Sequence, residues 1–202
     1  MFLPPSVRDI LNRSTLSLWA GLEEIRLRLN RPLALHGQAE DCFLSPEGLP
    51  VPVEQAYRPT REDLDRALAL ISSFSLYAFE QELRCGYLTI PGGHRVGLCG
   101  RAVLEDGRVA ALTDISGFNY RIAREIEGAA LPYVGYLLIH QEQRPAHTLV
   151  VSPPRGGKTT FLRDLARWLS DGVLELGVPG FKVAIVDERS EIAGCFKGFP
   201  QL

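Results

Sequence analysis

The segment from Thr148 to Leu169, TLVVSPPRGGKTTFLRDLARWL, most strongly constrains what this chain can fold into. An apolar, β-branched run from Thr148 to Val151 leads into a glycine-bearing loop, and apolar residues then recur at helical spacing. This order predicts a strand, a tight turn and a helix. Such a unit directs several backbone N–H groups and the positive end of the helix dipole at one point, which suits a phosphate.

The loop contains the Gly-Lys-Thr core of the phosphate-binding pattern G-x-x-x-x-G-K-[ST]. Ser152 stands where the pattern has its first glycine, and the two prolines that follow it have no N–H to donate. The phosphate cradle therefore depends on the amides of residues 155–160. A strand, turn and helix without a ligand is the alternative. The predicted nucleotide-binding residues are Ser152, Pro153, Pro154, Arg155, Gly156, Gly157, Lys158, Thr159 and Thr160.

Three residues at the end of the loop are assigned roles by position. Lys158 is expected to contact the β- and γ-phosphates of ATP as a compact cation, which makes it a candidate catalytic residue. The hydroxyl of Thr159 is expected to bind Mg²⁺, and Thr160 to lie near the α-phosphate. The loop indicates the class of ligand without specifying the reaction.

A second candidate group lies in FKVAIVDERSEIAG, residues 181–194. The run from Val183 to Val186 predicts a buried parallel strand, with Asp187 and Glu188 at its carboxyl end, where open α/β sheets bind their ligands. Nucleotide hydrolysis requires one carboxylate near Mg²⁺ and one that orients a water molecule. The alternative is a solvated strand end, because Asp-Glu-Arg-Ser is an ordinary turn composition.

The N-terminal part predicts a mixture of helices and antiparallel strands. Thr60 precedes a helical pattern with Glu62 and Asp63 in its first turn, and Gly86 ends that pattern. Turn signals at Pro91-Gly92-Gly93 and Asp106-Gly107 predict a meander that continues into FNYRIA. The other predicted elements are a helix near Ser6 to Asn12, strands at Leu22 to Leu29 and Leu33 to Gly37, a candidate edge strand at Cys42 to Leu44, and an apolar segment of helical length from Gly128.

Composition excludes several classes of protein. Lys plus Arg is 22 and Asp plus Glu is 24, so the formal charge of −2 creates no strong field for nucleic acid or anionic lipid. No apolar run approaches the roughly 20 residues that span a bilayer, and the N-terminus lacks a secretory signal pattern. Cys42, Cys85, Cys99 and Cys195 show no zinc or redox spacing, which indicates reduced thiols in a cytosolic protein.

Arginines and histidines give weaker signals. Arg95, Arg121 and Arg124 are candidates to reach a nucleotide at a domain or subunit boundary, but strands commonly carry arginine on their wet face. The four histidines show no metal-ligand spacing and are expected on the surface or in loops. We place the domain boundary between residues 126 and 132, which gives an N-terminal domain of residues 1–128 and a second domain of residues 129–202.

Taken together, these segments resemble the stage III sporulation protein AA family, ATPases of endospore-forming bacteria that are related to the motor ATPases of type II and type IV secretion. The resemblance covers nearly the whole chain. Its most specific part is VDERSEIAG followed by GFPQ. The other matching segments are LEEIRLRLNRPL, GGHRVGLCGRAV, NYRIARE and SPPRGGKTTFLRDLAR.

The resemblance implies an α/β protein: a mixed α+β N-terminal domain followed by a partial RecA-like P-loop NTPase core. It implies ATP and Mg²⁺ as ligands and assembly into a hexameric ring. It also implies a cytoplasmic motor of the mother cell that acts at the membrane through a polytopic membrane subunit of a channel complex to the forespore. The catalytic glutamate of secretion motors matches Glu188, which leaves Asp187 for Mg²⁺.

The acidic pair follows the phosphate loop too closely to be the Walker B strand of such a motor. We therefore interpret it as the first acidic box. The chain ends at Leu202 before a Walker B strand, so we expect a fragment of a longer protein, with weak ATP binding or absent hydrolysis.

Two other functions remain open. One is an assembly module that docks a membrane partner and has a vestigial nucleotide site. The other is a phosphate-loop ATPase acting on nucleic acid, which the mild net charge and the lack of a basic stripe disfavour.

Overall fold

The protein has a mixed α+β structure with a large antiparallel sheet. The computed structural model describes residues 2–15, 21–37, 41–72, 86–124, 126–139, 144–153, 156–174, 177–187, 191–195 and 199–201. The chain divides into two compact units, Met1–Ala123 and Arg124–Leu202. Each unit has a hydrophobic core of its own.

Among its described residues, the first unit contains one sheet, two α-helices and a 3₁₀ turn (Val53–Gln55). The helices are α1 (Pro5–Arg13) and α2 (Arg61–Ile71). The strands are β1 (Leu22–Arg28), β2 (Ala34–Gly37), β3 (Cys42–Leu44), β4 (Pro50–Val51), β5 (Tyr87–Ile90), β6 (His94–Glu105) and β7 (Arg108–Arg121).

All pairs in this sheet are antiparallel, in the order β4-β3-β2-β1-β7-β6-β5. The predicted meander is confirmed, because β5, β6 and β7 follow one another across it. Asp106 and Gly107 both have positive φ, 51° and 75°, as a tight two-residue hairpin turn requires. The strand at Cys42 to Leu44 is not the edge, since β4 lies outside it; the edge strand instead carries Pro50, which has no N–H to donate to a ladder.

Strand β1 departs from the strict alternation of buried and exposed residues because it contains a bulge. Leu22, Ile25 and Leu27 are buried, and the pairing with β2 shifts between Leu22 and Glu24. A bulge at this point inserts one residue and moves the following side chains to the other face. Leu22 and Ile25 therefore both reach the core, although residues three positions apart lie on opposite faces of a regular strand.

Helix α2 begins as the sequence predicts. The Thr60 side chain accepts a hydrogen bond from the Asp63 N–H, and the Asp63 side chain accepts one from the Thr60 N–H. This reciprocal capping box satisfies two amides that have no partner within the helix. The predicted continuation towards Gly86 falls on residues 73–85, which lie outside the described residues.

The second unit is smaller. Its elements are α3 (Leu131–Val134), a 3₁₀ turn (Gly135–Leu137), the hairpin of β8 (Leu138–Ile139) and β9 (Arg144–Pro145), and α4 (Lys158–Asp171). The prediction of one apolar helix from Gly128 is wrong after Val134. Leu138 is extended because it begins the strand that pairs with β9.

The strand predicted at Thr148 to Val151 and the parallel strand predicted at Val183 to Val186 are both absent from the structure. Residues 148–151 and 183–186 are outside strands, and Leu149, Val151 and Val186 are 87%, 78% and 97% exposed. A strand is defined by its ladder of hydrogen bonds, and the described residues contain no neighbouring strand with which either segment pairs. The sequence thus identified apolar segments correctly but not their pairing.

The prediction that the histidines lie on the surface or in loops is wrong for two of them, His36 and His94. His36 lies in β2, where its Nδ1 is 2.6 Å from a carboxylate oxygen of Asp41. His94 begins β6 and is half-buried, and its Nδ1 accepts a hydrogen bond of 3.0 Å from the Ala123 N–H. Burial lowers the pKa of His94 below its ordinary value of 6.5.

Acidification should therefore weaken the first unit. Because the folded-state pKa of His94 is lowered, the unfolded chain takes up a proton below about pH 6.5 that the folded chain resists. Protonation also removes the acceptor for the Ala123 amide, worth about 1 kcal/mol. We expect urea unfolding at pH 5.5 to show a larger loss of stability, relative to pH 7.5, in the wild type than in His94→Asn.

The matched control for this pH effect is His147→Asn, because His147 is exposed in a loop of the second unit. It should retain the full wild-type pH dependence. If His94→Asn also retained it, the destabilisation would belong to other groups.

No helix among the described residues is long and apolar enough to cross a membrane. Cys42, Cys99 and Cys195 are free thiols, and Cys85 lies outside the described residues.

Candidate phosphate-binding site

The predicted loop folds around the ammonium group of Lys158. The Nζ atom donates to the Ser152 carbonyl at 3.0 Å, the Ser152 hydroxyl at 3.3 Å and the Pro153 carbonyl at 3.2 Å. The Gly156 N–H closes the turn by donating to the Pro153 carbonyl at 3.1 Å. The loop thus places one positive charge beside the first turn of α4.

Glycines make this turn possible. Gly157 has a φ of 78° and directly precedes α4, a conformation that side chains with a Cβ rarely adopt. A Cβ on Gly156 would lie 2.4 Å from the Ser152 hydroxyl oxygen. A residue with a Cβ can take the place of the pattern's first glycine only if its φ is negative. Ser152 is not among the described residues with positive φ, so it meets this condition.

The start of α4 offers hydrogen-bond donors. No side chain caps it, and the first amides of any helix have no acceptor within the helix. Thr159 and Thr160 are half-buried in this first turn. A phosphate would find these amides, the helix dipole and the Lys158 charge together, so the described part of the site fits the group. Pro154 and Arg155 lie outside the described residues.

A buried carboxylate anchors α4. Asp164 is 3% exposed and accepts hydrogen bonds from the Ala130 N–H at 2.7 Å and from the Arg167 guanidinium at 2.7 Å. Burial alone would raise the pKa of Asp164, but the Ala130 amide and Arg167 outweigh it, so the pKa is lowered. The bonds fasten the segment before α3 to the helix.

The acidic box has a different environment from the one its sequence predicts. Asp187 Oδ1 accepts from the Glu191 N–H at 2.8 Å, and Oδ2 accepts from the N–H groups of Ile192 and Ala193 at 2.8 and 2.9 Å. Three of the roughly four lone-pair positions of the carboxylate therefore face backbone amides, which favours an anchoring role over a metal-ligand role. Glu188 lies outside the described residues, so its catalytic role stays a prediction.

The candidate arginines have partners elsewhere. Arg95 stacks on Tyr87, 5.2 Å from the ring centroid, and Arg121 pairs opposite Glu24 on β1. Burial would raise the pKa of Glu24, but the bonded Arg26 and the nearby Arg121 hold it below its ordinary value. These contacts favour the alternative interpretation, arginines on a sheet face. Arg124 belongs to the second unit, where its backbone carbonyl accepts a hydrogen bond from Arg163.

Sequence reasoning missed Arg163. Its Nε donates to the Ile192 carbonyl at 2.6 Å, and its Nη2 and Nη1 donate to the carbonyls of Glu191 and Arg124, both at 3.0 Å. It also missed the buried anchor at position 164. A signal for that residue was available, since Asp164 lies between Phe161 and Trp168 on the apolar stripe of the helix.

Three comparisons with known proteins show what this chain is similar to. The family model "Sporulation stage III, protein AA" matches residues 1–202. "Stage III sporulation protein AA" of Bacillus subtilis (strain 168) is 44% identical over 199 residues, which cover 98% of this chain and 60% of that protein. "Uncharacterized protein ycf45" of Cyanidium caldarium is 33% identical over 81 residues, 40% of this chain and 21% of that protein. No solved structure matches the chain significantly.

Proposed function

Since the chain belongs to the sporulation stage III protein AA family, we propose that it is the nucleotide-binding part of an ATPase that drives a complex needed for sporulation. The chain spans 60% of the length of its Bacillus subtilis relative. In this proposal the whole protein forms a hexameric ring and acts on the cytoplasmic side of the membrane. It docks there on a polytopic membrane subunit of a channel complex between mother cell and forespore.

The position of the Lys158 ammonium group at the uncapped start of α4 supports this proposal. Its three loop acceptors are neutral oxygens. A phosphate oxygen is a stronger acceptor because the hydrogen bond is then assisted by both charges. Lys158 is thus held where it can exchange loop contacts for phosphate contacts without moving the helix.

In this proposal the other residues of the site bind phosphate, Mg²⁺ and the attacking water. The first amides of α4 bind phosphate oxygens, and Thr159 supplies a hydroxyl for Mg²⁺, which neutralises phosphate charge when bound. Glu188 orients the attacking water. In the proposed RecA-like core, the exposed apolar residues of 148–151 and 183–186 belong to a parallel sheet, which buries such runs on both faces.

Replacing Gly156 tests the loop. In Gly156→Ala the added Cβ collides with Ser152, whose carbonyl and hydroxyl both accept from Lys158. Overpacking of this kind costs about 1–3 kcal/mol. We expect the affinity for a fluorescent ATP analogue with Mg²⁺ to fall about 10-fold, measured by anisotropy on the 202-residue chain.

Gly135→Ala is the matched control. A Cβ at this position meets no atom within 4 Å, so the affinity should stay at the wild-type value. Equal affinities for both variants would contradict the loop geometry. Absence of any nucleotide binding by the wild type would overturn the proposed function and favour a docking module with a vestigial site.

A further inference from the structure

The segment 191–193 after the acidic box is held from two sides. Its N–H groups donate to the Asp187 carboxylate. The carbonyls of Glu191 and Ile192 accept from the Arg163 guanidinium, at 3.0 and 2.6 Å. The N–H groups of this short irregular segment thus bind one charged side chain, and two of its carbonyls bind another; the third, that of Ala193, accepts from the Gln201 N–H at 2.9 Å.

Charged hydrogen bonds connect this segment to α4. A cavity of about 610 Å³ lies in the second unit between α4 and the extended segment, with Arg163, Val183, Ile185 and Asp187 among its lining residues. Val183 and Ile185 are 39% and 49% exposed. Neither residue belongs to the hydrophobic core described for this unit, whereas bonds from a charged guanidinium to carbonyls are among the stronger hydrogen bonds of a protein.

Arg163 and Lys158 belong to the same helix. Lys158 is the first residue of α4, and Arg163 follows in its second turn. A helix transmits a displacement of its first turn to the second almost rigidly, because every residue is bonded along the axis. Residues 188–190, which include the predicted catalytic Glu188, connect the anchor Asp187 to the segment that Arg163 holds.

We propose that Arg163 is a positioning residue that couples the phosphate loop to the acidic box, with Asp187 as the second anchor of the same segment. This coupling rests on the proposed function, since it needs a nucleotide at the start of α4. Phosphate binding fixes the first turn of α4, Arg163 then fixes the carbonyls of 191–192, and the described residues on either side of Glu188 in the sequence, Asp187 and Glu191, are both held.

Amide hydrogen exchange of residues 191–193, with and without an ATP analogue and Mg²⁺, tests the coupling. Without nucleotide, Arg163→Ala should exchange these amides about 10-fold faster than the wild type, the equivalent of one hydrogen bond to a charged group. Nucleotide should slow their exchange in the wild type and leave it unchanged in Arg163→Ala. The nucleotide Kd of this variant should stay within about 3-fold of wild type, because the described hydrogen bonds of Arg163 go to carbonyls at 124, 191 and 192, outside the phosphate loop.

Two further variants test whether the coupling needs more than a positive charge at position 163, and whether the loss of another arginine of α4 has the same effect. Arg163→Lys keeps the charge but lacks the planar fork that reaches several carbonyls, so it should restore less than half of the nucleotide-dependent protection. Arg167→Ala removes an arginine of the same helix that binds Asp164, and it should keep the nucleotide-dependent protection of 191–193. Circular dichroism confirms that each variant is folded.

The outcomes distinguish the two proposals. Wild-type exchange and wild-type nucleotide protection in Arg163→Ala would overturn the coupling and leave the proposed function standing. A wild type that binds no nucleotide would overturn the proposed function and the coupling with it. The exchange rates without nucleotide would still report whether Arg163 and Asp187 hold the segment.

Discussion

Lys158→Ala is expected to weaken binding of ATP and Mg²⁺ by about 100-fold or more. The ammonium group lies beside the uncapped first turn of α4, and each hydrogen bond between charged groups contributes about 1.5–3 kcal/mol. Loss of contacts to two phosphates therefore corresponds to at least two orders of magnitude in Kd. Titration of the chain with a fluorescent ATP analogue measures the effect, and phosphate release by the wild type and the variant reports hydrolysis.

Lys182→Ala is the control for the loss of a positive charge. Lys182 is an exposed lysine of the same unit, and its removal should change the Kd by less than about 2-fold, because surface charges are well screened. Lys158→Arg is a stricter variant, since the longer planar guanidinium cannot replace a compact ammonium inside the turn. An affinity of Lys158→Ala equal to that of Lys182→Ala would remove Lys158 from the site.

Features that the sequence predicted well depend on near neighbours in the chain. The Thr60 cap, the helix that follows it and the Asp106-Gly107 turn are set by residues a few positions apart. The turn and the helix at Lys158 are of the same kind, although the strand predicted before them is absent: the Lys158 partners Ser152 and Pro153 are five or six positions away. Backbone conformation and short-range bonds are enough to specify such structures.

Features that depend on distant pairing were not predictable in the same way. The run at Val183 to Val186 has the composition of a buried strand, but composition does not provide the neighbouring strand that the described residues lack. Arg163 is an ordinary helical arginine by its sequence context. Only the fold reveals that its acceptors are carbonyls at 124, 191 and 192.

Asp63 illustrates a partial success. Its place in the first turn of α2 was predicted, but its tertiary role was not. The buried carboxylate also accepts hydrogen bonds from the Ser6 hydroxyl of α1, from Tyr57 OH at 2.6 Å and from the Thr60 hydroxyl at 3.0 Å. Asp63 thus joins α1, α2 and the segment before α2.

Asp63→Ala should accordingly lower the free energy of unfolding by about 3–4 kcal/mol. The substitution removes the acceptor of several buried donors, and each donor left without a partner costs about 1–3 kcal/mol, partly offset by relaxation. Urea unfolding at pH 7, followed by circular dichroism, measures the loss. Asp65→Asn is the matched control: Asp65 lies on the same helix with a side chain that is 60% exposed and forms a surface ion pair with Arg61, so we expect a loss below about 1 kcal/mol.

The pH dependence provides a second, independent test of the same network. Burial alone would raise the pKa of Asp63, but the bonds from Ser6, Tyr57 and Thr60 outweigh it, so the pKa is lowered from its ordinary value of 3.8. A lowered folded-state pKa means that the ionised carboxylate stabilises the fold above the unfolded-state pKa and that this stabilisation is lost as the pH falls through the folded-state pKa.

The stability difference between wild type and Asp63→Asn should therefore be constant from pH 7 to about pH 5 and shrink below about pH 4. The difference between wild type and Asp65→Asn should stay small throughout. A constant Asp63→Asn difference down to pH 2.5 would mean that the ionised form is not what the three hydroxyl groups and the Thr60 amide recognise. The junction between the two helices would then depend on apolar packing around Leu64 and Ala67 instead.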